Sequence, residues 1–66
     1  MRIIINGEPA EHREGLTILE LLGVLSLEPQ RVAVECNQQL IPRSRHAGTQ
    51  LTEGDQLEIV TLVGGG

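Results

Sequence analysis

The chain contains no phenylalanine, tyrosine, tryptophan or lysine, and all five of its basic residues are arginines. Without aromatic rings it cannot stack nucleic-acid bases, and its net charge of −4 opposes binding to phosphate backbones. Without lysine it offers no side-chain amine for acylation. These absences exclude a nucleic-acid partner and direct attention to other functional groups of the chain.

Cysteine and long apolar runs are also scarce. Cys36 is the only cysteine, so no disulfide can form within the chain, which favours a reducing compartment. No apolar run reaches membrane-spanning length, and no signal peptide precedes the first predicted strand. We therefore expect a cytoplasmic protein without a membrane partner, and its 66 residues suit one small domain.

The first 13 residues predict a β-hairpin. Residues 1–5 alternate as a strand, and Asn6-Gly7 is a strong signal for a type I′ turn, which needs positive φ at both central positions. Residues 8–13 form the returning strand. Pro9 lacks a backbone N–H, so this strand is expected at an edge of the sheet.

The next segment predicts a short helix. Thr17 and Glu20 have the spacing of a capping box, and Leu16 and Leu21 that of a hydrophobic staple. An apolar stripe at helical spacing then extends the predicted helix from residue 18 to residue 25 or 27. A helix this short is marginal in isolation, so it must pack on a sheet.

The second half predicts three more strands. Residues 31–35 are predicted to form a strand, and a turn at Asn37-Gln38 leads to a short strand at residues 39–41. Residues 43–52 are expected to form a loop with a single helical turn, and residues 53–55 a turn. The aliphatic and β-branched residues from 55 to 63 predict a strand near the middle of the sheet.

This order of elements predicts an α+β fold in which one helix packs on one face of a mixed sheet of four to five strands. A last strand lying parallel to the first gives a β-grasp arrangement. We expect residues 1–63 to form this domain and residues 64–66 a flexible glycine tail. The predicted core consists of Met1, Ile3, Ile5, Ile18, Leu21, Leu22, Leu25, Val32, Val34, Leu51, Leu57 and Ile59.

The tail is the first candidate for function. Gly64 and Gly65 have no Cβ, so they could pass through a channel too narrow for other residues, and Gly66 carries the terminal carboxylate. By itself the tail is better explained as a frayed chain end, because terminal disorder is common, so a functional interpretation needs support from the rest of the chain.

A second candidate lies on the face of the sheet turned away from the helix. Ile4, Val60 and Leu62 are expected there, and adjacent parallel strands would gather them into one patch that docks on a partner. Arg43 and Arg45 are further candidate partner contacts.

The remaining reactive side chains predict no catalytic or metal site. Cys36 in a strand favours a small buried hydrophobe over a reactive thiol. His12 and His46 have no ligand spacing with each other or with the cysteine, so we expect no metal. Glu53 and Asp55 flank a glycine, which favours a turn over a catalytic carboxylate pair.

Taken together and in order, these features resemble the ubiquitin-like sulfur carriers, most closely those of thiazole (thiamine) biosynthesis. The resemblance covers essentially the whole chain. Its main departures are His46, where many relatives are expected to have an aromatic residue, and a third terminal glycine. The features are the strand ending in Asn6-Gly7, the helix beginning at Thr17, residues 32–35 with Asn37, residues 41–44, the turn at 53–55 and the terminal glycines.

The resemblance implies a chemistry centred on Gly66. Its carboxylate would be adenylated from ATP by a ubiquitin-activating-like enzyme and converted to a thiocarboxylate with sulfur from a donor such as a cysteine desulfurase. Thiazole synthase would then take the sulfur. The chain itself would be no enzyme and would bind no cofactor, since nucleotide binding and catalysis belong to its partners.

Other functions remain open. The small subunit of molybdopterin synthase would have the same tail and the same activation, although its relatives tend to be longer and richer in aromatic residues. A ubiquitin-like modifier that is conjugated to other proteins, or a β-grasp interaction module with no tail chemistry, would also fit the fold.

Overall fold

The computed structural model describes residues 1–62. Within them, five strands form one sheet and one α-helix packs on it. Of two single 3₁₀ turns, Pro29–Arg31 lies between the helix and the third strand, and Arg43–Arg45 lies between the fourth and fifth strands. The elements are β1 (Arg2–Ile5), β2 (Glu8–Glu11), α1 (Ile18–Val24), β3 (Val32–Cys36), β4 (Gln39–Ile41) and β5 (Gln56–Thr61).

The strands form one mixed sheet in the order β2-β1-β5-β3-β4. β1 and β5 run parallel, and the other neighbours run antiparallel. The buried side of α1 joins the buried residues of the strands in a single core, so the helix covers one face of the sheet. This is the predicted β-grasp arrangement, with β2, which contains Pro9, at an edge.

Two turns of the same kind link neighbouring strands on either side of β5. Asn6 and Gly7 have φ angles of 52° and 83°, and Asn37 and Gln38 have φ angles of 53° and 71°. Positive φ at both central positions is what the twist of a two-residue hairpin requires. Both turns were predicted from sequence and are confirmed.

The helix begins as predicted and ends earlier. Thr17 Oγ1 accepts a hydrogen bond from the Glu20 backbone N–H at 3.1 Å, and Glu20 Oε1 accepts one from the Thr17 backbone N–H at 3.0 Å. At the other end the chain turns at Ser26, whose φ is 60°. The backbone N–H groups of Ser26 and Leu27 donate to the carbonyls of Gly23 and Leu22, which closes a Schellman motif.

The core differs from the prediction at its margins. Leu25 is 36% exposed because the helix ends before it, so its placement in the core was wrong. Met1 and Ile5 are only partly buried and pack against the core from outside. His46 is unexpectedly buried. The buried residues are Ile3, Leu16, Ile18, Leu21, Leu22, Val32, Val34, Leu51, Leu57, Ile59 and His46.

Neither α1 nor any other helix among residues 1–62 is long and apolar enough to cross a membrane. The predicted division into a domain at 1–63 and a tail at 64–66 extends beyond these residues and stays a prediction.

Candidate functional site

The strand that leads to the C-terminal residues lies in the centre of the sheet. β5 pairs with β3 along its length, from Leu57 opposite Cys36 to Thr61 opposite Val32. The Leu62 N–H then donates to the Arg31 carbonyl at 2.8 Å. The chain is therefore anchored on its β3 side as far as Leu62. The predicted reactive and tail residues, Gly64, Gly65 and Gly66, lie outside the described residues.

On its other side β5 extends beyond the end of β1. The register with β1 covers only Ile4 opposite Gln56 and Ile5 opposite Leu57, after which the chain turns away at Asn6. The Asn6 side chain occupies the place that β1 leaves. Its Oδ1 accepts from the Ile59 N–H at 2.8 Å, and its Nδ2 donates to the Ile59 carbonyl at 3.1 Å.

A second asparagine holds the beginning of the same strand. Asn37 Oδ1 accepts from the Gln56 N–H at 3.0 Å, and its Nδ2 donates to Asp55 Oδ1 at 3.0 Å. Asp55 Oδ2 in turn accepts from the Thr52 N–H at 2.9 Å. Asn37 thus fastens β5 at its first residue and Asn6 fastens it at Ile59, roles that were not predicted for either asparagine.

The predicted partner-binding residues lie in two places. Ile4 is half-buried and stands opposite Gln56, whereas Val60 stands opposite Ala33. Val60 lies four steps along the strand from Gln56, which is roughly 13 Å at about 3.3 Å per residue. The prediction that Ile4 joins Val60 and Leu62 in one patch was therefore wrong, because β1 ends before it reaches the exposed half of β5.

Val60 in β5 and Leu62, which follows the strand directly, are exposed apolar residues. They are 55% and 53% exposed, and with Ala33 they make up a small apolar area that we call the exit patch. The patch lies on the uncovered face, because Leu57 and Ile59, which alternate with its residues along the strand, are buried on the helix side.

Two carboxylates border the exit patch. Glu58 stands directly opposite Glu35, and both are exposed. Leu40, which is 66% exposed, stands opposite Glu35 on β4. Like charges directly across a sheet are unfavourable, so this row contributes little to the stability of the fold. It gives the surface beside the patch a negative charge.

Cys36 is half-buried at the edge of the core. Burial, and secondarily the Asp55 carboxylate, raises the pKa of its thiol above the usual value. The thiol therefore stays protonated near neutral pH and is a poor nucleophile. This agrees with its interpretation as a structural residue.

The two histidines do not meet at a common site. His46 is 2% exposed, and its Nε2 lies 3.0 Å from the Ile41 carbonyl oxygen, which can only accept a hydrogen bond. His12 follows β2, and its backbone N–H donates to the Met1 carbonyl. Within residues 1–62 no group of three or more His, Cys, Asp or Glu side chains is placed to hold a metal ion.

The arrangement defines a ubiquitin-like β-grasp domain whose central strand leads to its C-terminal residues. Residues 3–66 match the family model described as the ThiS family, and the chain belongs to that family. The crystal structure of a thiamine biosynthesis protein (ThiS) from Geobacter metallireducens superposes with a TM-score of 0.87 over 100% of both chains, at 32% identity.

Proteins similar to this chain differ in length. The sulfur carrier protein ThiS of Escherichia coli is 32% identical over 66 residues, which are the whole of both chains. A thiazole synthase of Paramagnetospirillum magneticum is 41% identical over 66 residues, and there the chain spans only 20% of the relative's length. A segment similar to this chain therefore also occurs inside larger proteins.

Proposed function

We propose that the chain is a sulfur carrier for the thiazole ring of thiamine, with the Gly66 carboxylate as the group that is activated and loaded. The observation that carries this proposal is the position of β5. In a chain of the ThiS family, the central and doubly anchored strand leads directly toward three terminal glycines. The folded body then acts as a rigid handle for the C-terminal carbonyl.

The chemistry follows from the low reactivity of a free carboxylate. Such a carboxylate is ionised at neutral pH and is a poor electrophile. Attack of a carboxylate oxygen of Gly66 on the α-phosphorus of ATP releases pyrophosphate and leaves an acyl-adenylate. A sulfur nucleophile at the oxidation level of sulfide then adds to the carbonyl carbon, AMP departs, and a thiocarboxylate remains.

The carrier supplies the group and its partners supply the catalysis. An adenylating enzyme of the ubiquitin-activating type would bind ATP. A donor such as a cysteine desulfurase would supply the sulfur as a persulfide, which a thiol reductant brings to the oxidation level of sulfide while the thiol is oxidised to a disulfide. Thiazole synthase would accept the sulfur. The relatives named thiazole synthase support the last assignment, because they contain a segment similar to this chain. The chain itself is no enzyme in this proposal.

The exit patch is the surface that we assign to partner docking. Val60 and Leu62 are exposed apolar side chains beside the strand end that must approach the partner's active site. The Glu35–Glu58 pair beside them favours a partner surface with a basic rim. Ile4 lies far enough away to contact a different part of the partner or a different partner.

Intact mass spectrometry tests the proposal directly. Incubation with the adenylating enzyme, ATP and sulfide should raise the mass by the difference between a sulfur and an oxygen atom. A chain whose C-terminus is capped as an amide is the control and should gain nothing. A capped chain that still delivers sulfur to thiazole synthase would contradict the proposal, and adducts on lysines of other proteins would indicate a modifier instead.

A further inference from the structure

The parallel pairing of β1 and β5 continues beyond the last residue of β1. The Ile4 N–H donates to the Asp55 carbonyl and the Asn6 N–H to the Leu57 carbonyl, each at 2.9 Å, as successive steps of the ladder. The next step on β5 is Ile59, and there the Asn6 carboxamide supplies both the acceptor and the donor.

The side chain of Asn6 therefore supplies the one acceptor and the one donor that a continuing β1 would have offered to Ile59. In a continuous parallel ladder the Ile59 N–H would bond a backbone carbonyl of β1, and the Ile59 carbonyl would bond the N–H two residues later. Oδ1 and Nδ2 fill these positions at 2.8 and 3.1 Å. Only asparagine has a side chain short enough for this turn, tolerant of positive φ, and equipped with both groups.

We infer that Asn6 is a positioning residue for the loading of the C-terminus: it sets the direction in which β5 delivers the chain to the adenylating enzyme. This inference rests on the proposed function. Within the described residues, the hydrogen bonds between the Asn6 carboxamide and Ile59 are the last ones that β5 makes on its β1 side. They lie three residues before Leu62. On the β3 side the last bond is the one from Leu62 to Arg31.

Direction matters because adenylation requires the carboxylate to be aligned with the α-phosphorus of ATP. A small displacement of a reacting group lowers the rate of the chemical step far more than it lowers binding. A strand end that is hydrogen-bonded to a neighbour on one side only can rotate about that side. Loss of the Asn6 bonds should therefore lower kcat for adenylation, while KM, which depends on the exit patch, changes little.

Asn37 provides the matched control. It has the same place in the same kind of turn, with φ of 53° against 52°, and its carboxamide also bonds β5. It bonds the backbone N–H of Gln56, which is the first residue of β5, and makes no such bond to the part of the strand that leads to Gly66. Asn6→Gly and Asn37→Gly both keep the turn and both delete a carboxamide bonded to β5.

Adenylation kinetics of the two variants decide the inference. For Asn6→Gly we expect kcat for pyrophosphate release to fall about tenfold or more with KM within about twofold. Asn37→Gly should retain the kcat of the wild type. Asn6→Asp is a second variant that keeps the size and turn preference of Asn6 but faces the Ile59 carbonyl with an oxygen, and at neutral pH it should lose kcat as well. It carries the test if Asn6→Gly fails to fold.

Amide hydrogen exchange gives an independent readout. The Leu62 N–H should exchange about tenfold faster in Asn6→Gly and at the wild-type rate in Asn37→Gly, each measured where the variant is folded. Equal kcat, or equal Leu62 exchange, in the two variants would overturn the inference and leave Asn6 with a purely structural role. If the wild type is not adenylated at all, the proposed function fails, and the exchange comparison still decides whether Asn6 orders the strand end.

Discussion

The two faces of the sheet have opposite characters. On the helix side, Leu57 and Ile59 of β5 are 1% and 8% exposed and belong to the core. On the other side, Val60 and Leu62 of the same chain segment are more than half exposed, and two glutamates stand opposite each other. The same strand thus stabilises the fold through one face and offers a partner surface through the other. Substitutions on the two faces should therefore separate stability from partner binding.

Removal of a buried side chain should have the largest effect. Leu57→Ala deletes a residue that is 1% exposed and leaves a cavity, so we expect a loss of about 3 kcal/mol in the free energy of unfolding. Urea denaturation followed by circular dichroism measures it. Leu40→Ala, on the exposed side of β4, should change stability by less than about 0.5 kcal/mol. Similar losses in both variants would contradict the separation of the two faces.

The exit patch should affect binding without affecting stability. Val60→Gln adds no charge beside the two glutamates, and we expect it to weaken binding to the adenylating enzyme about tenfold, or about 1.4 kcal/mol. Isothermal titration calorimetry measures this affinity.

Ile4→Gln is the control, because the register places Ile4 roughly 13 Å along the sheet from Val60. It should weaken the same complex less than Val60→Gln does. Equal losses would show that one partner surface spans both positions, and no loss in either variant would remove the outer face from the interface.

The end of the helix offers a stabilising change away from both faces of β5. Ser26 has φ of 60° in the Schellman turn, where glycine avoids the clash of a Cβ with the backbone. Ser26→Gly should stabilise the fold by about 1 kcal/mol and raise the Tm by about 4–8 °C. Adenylation kinetics should stay unchanged. A lower Tm would show that the Ser26 side chain has a role that the turn geometry does not reveal.

The smallest expected effect concerns Glu20 at the beginning of the helix. The hydrogen bond from the Thr17 backbone N–H, with further contributions from the Thr17 hydroxyl and Arg13, lowers the pKa of Glu20 below 4.5. A lowered pKa in the folded state means that the charged carboxylate adds stability above about pH 4.5, and that this stability is lost as the pH falls through the folded pKa.

Glu20→Gln should therefore be slightly less stable than the wild type at neutral pH, and the difference should shrink at about pH 3. Urea midpoints at the two pH values measure it. Thr17→Ala is a useful companion, because it removes the partner hydroxyl without removing the charge. A difference between wild type and Glu20→Gln that grows at low pH would contradict the assigned direction of the pKa shift.

The local elements were predictable because their signals lie within a few residues. The Asn6-Gly7 turn, the Thr17–Glu20 capping box and the edge position of Pro9 each depend on backbone chemistry that neighbouring residues carry, and all are confirmed. The β-grasp topology followed because the order of elements leaves one simple way to bury both apolar faces. The extent of the helix was less predictable, because no glycine marks the turn at Ser26.

Long-range packing was not predictable in the same way. The burial of His46 depends on a loop that meets the beginning of the helix, where the His46 carbonyl accepts from the Leu19 N–H. No short-range sequence pattern around residue 46 predicts this contact. From local sequence, a polar side chain in a loop is expected to be exposed, and only the packing of distant residues around it shows that it is buried.

The sequence alone therefore determined the order of strands and helix, the two turns and the apolar face of the core, because these depend on local conformational preference and periodicity. Only the tertiary structure decided the register of β1 against β5, and with it two further results. Ile4 and Val60 lie apart, and the Asn6 carboxamide completes the ladder at Ile59. Register joins residues more than 50 positions apart, and such pairings depend on the packing of the whole sheet and not on either strand by itself.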